Sequence, residues 1–230
     1  WFHGDDEVTG LRLGGLILTQ TNVLATITGN YIDNCFIEWT NEHEQDPAFA
    51  NQYSFGGLTV TGNIFLASNT VPWFRWIVIK PYGTGHFIQG LNVSGNVFKA
   101  TNMTVDRVEG LDTSFATMDM GRNRNVRFDQ NSFNAVAQIT SNPVRIEVNQ
   151  ATAAASWAVN AGPYLPFGGW ARNVESIVAE GVITDAAGAR RTDMPFVQVE
   201  QGAAKQNVTL NWAGPSKGRV HLSVRMDNPN

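Results

Sequence analysis

Four stretches of the chain share one pattern of apolar and polar positions. They are Ala25-Thr-Ile-Thr-Gly-Asn-Tyr-Ile32, Leu58-Thr-Val-Thr-Gly-Asn-Ile-Phe65, Leu91-Asn-Val-Ser-Gly-Asn-Val-Phe98 and Val126-Arg-Phe-Asp-Gln-Asn-Ser-Phe133. Each reads apolar, polar, apolar, polar, turn, Asn, any residue, apolar. The alternation predicts a strand with one buried face, because successive side chains of a strand point to opposite sides. The Gly-Asn pair predicts the turn that ends it, since both residues accept backbone conformations that others avoid. The apolar residue two places after Asn (Ile32, Phe65, Phe98, Phe133) returns the chain to the core.

The shared asparagines, Asn30, Asn63, Asn96 and Asn131, are spaced by 33, 33 and 35 residues. A second echo follows at Ser68-Asn69, Thr101-Asn102 and Ser141-Asn142. Ankyrin and tetratricopeptide repeats have similar periods, but they need amphipathic helices between the signals. The intervals here are filled with Gly, Pro, Asn and Thr. Short strands and turns at this period predict a β-solenoid whose coils stack, because no coil can bury its own apolar face. Stacking places Ile27, Val60, Val93 and Phe128 in one column and the four asparagines in a ladder. Amides in such a ladder can bond to one another and to the turn backbone. A period of 33 exceeds a bare coil, so part of each interval should protrude as a loop.

Over roughly residues 10 to 142 this pattern resembles the right-handed parallel β-helix of the pectate-lyase-like superfamily. That superfamily includes polysaccharide lyases, glycoside hydrolases and bacteriophage spike proteins, with Asn ladders at tight turns and Phe stacks inside. The resemblance implies a fold rather than one activity, since the fold hosts many chemistries.

After Pro143 the repeat stops. Strand-like runs follow at Val144–Val148, Ser156–Val159, Ser176–Ala179, Gly181–Thr184, Phe196–Val199, Asn207–Trp212 and Arg219–Arg225, with turns such as Asp185–Gly188 and Ala213–Ser216 between them. Short alternating strands at regular spacing predict an antiparallel, sandwich-like domain. The chain is therefore read as all-β, with β-helix coils over 1–142 and a C-terminal β-domain over 143–230. That layout resembles phage tailspikes and the head spikes of gene transfer agents, and it implies that the C-terminal domain caps the coils or drives homotrimerisation.

Composition narrows the function classes. The 230 residues carry 16 basic and 20 acidic side chains, a net charge of −4, which leaves no basic excess for phosphate contacts and argues against nucleic-acid binding. Abundant Asn, Gly and Thr disfavour a helical protein. The best apolar run, Trp76-Ile77-Val78-Ile79, is strand-sized, so membrane insertion is not expected. The chain begins at Trp1 rather than Met, and reads as the last coils of a shaft plus its cap. Cys35 is the single cysteine and sits in the apolar run Cys35-Phe36-Ile37, as a small core residue does. No Gly-rich phosphate loop, zinc-type Cys pair or nucleophile elbow is present, so no cofactor or metal is expected. Asn92, Asn102 and Asn207 fit the glycosylation pattern, as chance matches in an Asn- and Thr-rich chain do.

Chemistry concentrates in the intervals. The outward strand positions, Thr26 and Thr28, Thr59 and Thr61, Asn92 and Ser94, Arg127 and Asp129, form a mostly neutral face suited to sugar hydroxyls, solvent or another subunit. The first interval holds Glu38, Glu42, Glu44 and Asp46. Paired carboxylates can hydrolyse glycosides when they stand about 5 to 9 Å apart, although an acidic loop is also an ordinary solvated one. The second interval is aromatic. Alternation puts Trp73, Arg75 and Ile77 on one face and Phe74, Trp76 and Val78 on the other. Flat rings stack on sugars while polar side chains bond their hydroxyls, so Trp73, Arg75, Trp76, Tyr82 and His86 are the candidate saccharide contacts. The same aromatics can equally be buried in the coil or between subunits. Weaker candidates are the acidic start (His3, Asp5, Asp6, Glu7), the set Asp106, Arg107, Glu109 and Asp112, and the pair Arg122 and Arg124, which can hold an acidic sugar or pin neighbouring coils.

Three functions fit. One is a spike or receptor-binding protein on a phage or phage-like particle, or a secreted one, that binds cell-surface polysaccharide as a homotrimer. Another is a lyase or glycoside hydrolase acting on a capsular or pectin-like polymer. The last is a structural adhesin shaft without a ligand.

Overall fold

The computed structural model describes residues 2–3, 14–44 and 54–229. The chain divides into two compact units, Trp1–Ser141 with Pro229–Asn230, and Asn142–Asn228.

The first unit contains β1 (Phe2–His3), β2 (Gly14–Leu18), β3 (Asn22–Thr28), β4 (Tyr31–Asp33), β5 (Phe36–Thr40), β6 (Phe55–Thr61), β7 (Ile64–Ala67), β8 (Ile77–Lys80), β9 (Ile88–Ser94), β10 (Val97–Ala100), β11 (Glu109–Leu111), β12 (Arg124–Asp129) and β13 (Ser132–Asn134). Every third strand falls in the same sheet. The three parallel sheets run β1-β4-β7-β10-β13, β11-β8-β5-β2 and β12-β9-β6-β3. This is a parallel β-solenoid in which each coil gives one strand to each sheet.

The repeat aligns as its spacing demands. Ile27 pairs with Val60, Val60 with Val93 and Val93 with Phe128, and none is more than 7% exposed. The aromatic column is stacked, with Phe65 and Phe98 centroids 4.7 Å apart and Phe98 and Phe133 6.0 Å apart. Burying a ring of this size contributes about 1.5–3 kcal/mol. The asparagines form a directional ladder. Asn30 donates its Nδ2 and its backbone N–H to Asn63 Oδ1, both at 3.0 Å. Asn63 does the same to Asn96 Oδ1, and Asn96 to Asn131 Oδ1. Nδ2 of Asn63 and of Asn96 also bonds the preceding coil, at Ile27 O and Val60 O.

The second echo is different. Ser68 and Thr101 follow the paired residues Ala67 and Ala100 in β7 and β10, and Asn34, just after β4, accepts from Ser68 N at its Oδ1 (2.8 Å). Ser141-Asn142 is not part of that column. Asn142 belongs to the second unit, where its side chain bonds Met226 N and Asp227 Oδ1.

One repeated feature was not foreseen. In the β12-β9-β6-β3 sheet a column of residues takes positive φ: Leu24 (44°), Gly57 (76°), Gly90 (70°) and Asn125 (50°). It bends each strand at the same level. Glycine and asparagine suit it, whereas Leu24 meets it at steric cost.

The second unit contains β14 (Val144–Asn160), β15 (Asn173–Asp185), β16 (Phe196–Gln201) and β17 (Asn207–Arg225). They form one antiparallel sheet, β14-β17-β15, with β16 also on β17. The separate antiparallel domain expected at the C-terminus is present, with its short strand-like runs fused into long strands of one sheet. Ala213–Ser216 is no turn but lies inside β17, where the register with β14 shifts between Gln150 and Ser156. Gly and Pro in a strand mark such an irregularity as readily as an end. Val220, Leu222 and Val224 are buried, as their alternation requires.

Candidate functional site

The β11-β8-β5-β2 sheet carries an open cleft of about 390 Å³ lined by Phe36, Glu38, Trp73, Arg75, Val78, Gly110, Leu111 and Asp112. Its floor follows from register. Glu38 pairs with Val78, and Val78 with Gly110. Their neighbours Ile37, Trp39, Ile77 and Ile79 are fully buried inside the coil. The column Glu38–Val78–Gly110 therefore faces outward, at about one strand spacing (4.8 Å) per step.

The walls come from the segment before β8. Trp73 is half exposed, and its ring meets the edge of buried Phe36 at 6.4 Å and 80°. Arg75 lies across Gly110. A Cβ built on Gly110 would stand 3.1 Å from Arg75 Cγ, so the missing side chain makes room for the arginine. The guanidinium donates to Asp106 Oδ2 and to Phe74 O, both at 2.7 Å. Burial pulls its pKa below the ordinary guanidinium value, against the opposing pull of Asp106. Asp112 follows β11. Its Oδ1 accepts from Ser114 Oγ at 2.6 Å and Ser114 N at 3.1 Å.

Glu38 from the first interval and Trp73 and Arg75 from the second thus share one cleft. The other candidates separate from it. Trp76 is fully buried, packed on Phe74 and Phe98, and cannot offer a face to a sugar. Strict alternation failed here because Trp76 N and Ile77 N both donate to Val108 O (2.9 and 3.1 Å), a bulge that turns both side chains inward and Val78 outward. His86 is also removed from the surface, at 2% exposure. Its Nδ1 meets Ser54 Oγ at 2.9 Å and its Nε2 meets Asn41 Nδ2 at 3.3 Å. This Ser–His–Asn grouping is wholly buried, and Ser54 Oγ also accepts from Phe87 N. It braces the coil rather than presenting a nucleophile.

Tyr82 is half-buried and stacked on Phe115 at 4.4 Å, with its hydroxyl donating to Glu42 at 3.3 Å. Glu44 accepts from Asn41 Nδ2 at 3.2 Å. Glu42 and Glu44 therefore belong to a polar cluster around Asn41 and Tyr82 and do not line the cleft. Asp46, Asp5, Asp6 and Glu7 lie outside the described residues, and His3 is placed only as a backbone partner of Asp33 in β1. Asn30, Asn63, Asn96 and Asn131 are the structural ladder described above.

Arg122 stacks over Phe87 at 4.3 Å. Arg107 pairs with buried Glu109 at 2.9 Å, and Thr140 Oγ1 completes that carboxylate at 2.8 Å. Glu109 occupies the inward column after Ile37 and Ile77, so this pair closes the coil interior with polar groups. The floor residues Val78 and Gly110 carried no chemical signal in the sequence; only register identifies them. Among the described residues no cluster of His, Cys, Asp or Glu is arranged to hold a metal ion, and no helix is long and apolar enough to cross a membrane. Comparison with family models, with curated proteins and with solved structures found no match for this chain.

Proposed function

We propose that the chain is a spike or receptor-binding protein of a phage or phage-like particle, and that it binds cell-surface polysaccharide in the Trp73 cleft. The observation that carries the reading is a half-exposed indole standing over an open groove lined also by Arg75 and Asp112, with Glu38 buried at its foot. Aromatic faces with a few placed polar groups are what a sugar ring needs. The parallel sheet beneath keeps those groups in fixed register. The particle assignment draws on the resemblance in layout, coils followed by a separate β-sheet domain.

Homotrimerisation belongs to the same proposal. The second unit exposes Phe196 (70%), Met194 (63%), Val178 and Val182, apolar side chains of the kind that association covers. A glycan array probed with the purified chain and with Trp73→Ala tests the binding. Retention of one saccharide class by the parent chain and its loss in the variant support the reading, and equal signals from both overturn the site.

A second reading has its own observation. Glu38 and Asp112 line one cleft, which brings together two carboxylates of the kind that glycosidic cleavage uses. It requires new reducing ends or unsaturated sugars from a bound polymer and their absence with Glu38→Gln. If Glu42→Gln with Glu44→Gln abolished turnover instead, the chemistry would belong to the Asn41–Tyr82 cluster.

A further inference from the structure

The exposed apolar side chains of the second unit stand on both sides of one sheet. That placement decides how copies of the chain can meet, a step that rests on the assembly reading above. The unit, Asn142–Asn228, lies wholly within the described residues. The front of its sheet carries Trp157, Leu210, Trp212, Val220 and Leu222, all buried. An open cleft of about 330 Å³ lies on that side, lined by Ile177, Ala179, Val182, Met194, Trp212 and Val220 among others. At its rim the Arg191 guanidinium and the Asp193 carboxylate already hold each other, at 2.8 and 2.7 Å. Phe196 stands on the back. It pairs with Asn211, and Val197 pairs with Leu210, so Phe196 lies on the side away from Leu210 and Trp212. Val178 is on the back as well, because it pairs with His221, between Val220 and Leu222. Phe196 and Val178 are 70% and 56% exposed. The sheet itself separates Phe196 from the cleft of its own chain.

A two-fold dimer uses the same patch on both partners, so one such contact covers the front or the back and leaves the other open. A front-to-back contact covers both, and repeated around an axis it closes a ring. The area suffices. β14 and β17 run 17 and 19 residues and the sheet is three strands across, so one side offers roughly 700 Å². A standard interface buries about 800 Å² on each partner. A buried aromatic anchor in a pocket carries much of the energy of such an interface. We infer that the cleft is filled by a second copy of this chain: Phe196 on the back of one copy enters the Trp212 cleft on the front of the next, and the copies associate head to tail.

The test is crosslinking of two variants of the full chain, Gln198→Cys and Thr192→Cys, co-expressed and treated with a short bismaleimide. Both positions are exposed, Gln198 on the back two residues from Phe196 and Thr192 on the cleft, and the native Cys35 is buried. The expected product is a covalent dimer that joins one variant to the other, and most of it should be lost when Phe196→Glu is added to both chains. Gln198→Cys joined mainly to itself means back-to-back contact, and Thr192→Cys joined mainly to itself means front-to-front contact. Either overturns this inference and leaves assembly standing. A mixed product that survives Phe196→Glu also overturns it, and so does an oligomeric parent that yields no mixed product. A parent that is monomeric in light scattering overturns the assembly reading itself, and the inference with it.

Discussion

Asn63 shows how much one side chain can hold. It is 1% exposed, accepts two bonds from Asn30, and donates to Asn96 and to Ile27 O. Its replacement by Ala leaves buried partners unmet at about 1–3 kcal/mol each. Asn63→Ala should therefore cost about 2–4 kcal/mol in urea unfolding. Asn30→Ala, at the less buried end of the ladder, should cost about 1 kcal/mol or less. Equal losses would show that the ladder is not a cooperative column. A second residue-scale effect is pH-dependent. Arg191 donates to both oxygens of Asp193, at 2.8 and 2.7 Å, and holds that carboxyl below its ordinary 3.8. A carboxylate with a depressed native pKa stabilises the fold above its unfolded pKa, and that stability is lost as pH falls through the native value. Asp193→Asn should thus shift the acid-unfolding curve toward the parent's low-pH behaviour and flatten it below about pH 4. An unaltered acid limb would contradict the assignment. The asparagines and their column were legible from the sequence, because a whole apolar–polar–turn–Asn pattern recurred at a fixed interval. The Arg191–Asp193 pair was not, because two charges two residues apart carry no periodic signal.

At the scale of elements, the column of positive φ offers a clean comparison. Leu24 is 84% exposed, so its side chain gains little from burial, yet it sits at φ 44°. Leu24→Gly should raise stability by up to about 1 kcal/mol, the left-handed penalty less the extra unfolded-state freedom of glycine. Gly57→Ala should lower it by more, because the new Cβ stands 3.0 Å from Leu24 N in the neighbouring strand as well as at positive φ. Denaturant midpoints decide both, and a destabilised Leu24→Gly would contradict the strain argument. The sheet that carries the cleft was the least legible element. Its buried positions Ile37, Ile77 and Glu109 are spaced by 40 and 32 residues, against 33 for the ladder asparagines on either side. Loops of unequal length before and after these strands compensate within one coil, so the period survives while this sheet drifts against it. Trp76 was misplaced for a related reason: a bulge changes the alternation parity without changing composition.

At the scale of the molecule, low charge and abundant Asn, Gly and Thr follow from stacking. Threonines occupy the outward columns Thr26–Thr59 and Thr28–Thr61, where like charges at about one strand spacing would repel. The candidate site is legible only in part at this scale. Glu38, Trp73 and Arg75 were each visible as residue types, but Glu38 is 35 residues from Trp73, and only the solenoid register brings them to one cleft. If the exposed apolar residues of the second unit serve assembly, light scattering at micromolar concentration should return a trimer. Phe196→Glu should shift it to monomer, and a monomeric parent would remove assembly from the account. The central claim is that the Trp73 cleft receives a saccharide. The most direct test is calorimetric titration of a retained saccharide into the parent chain, Trp73→Ala, and the double variant Glu42→Gln with Glu44→Gln. The account requires affinity to fall at least tenfold, about 1.4 kcal/mol, in Trp73→Ala and to hold in the double variant. Parent-like affinity in Trp73→Ala, or loss confined to the double variant, would place the ligand elsewhere and contradict it.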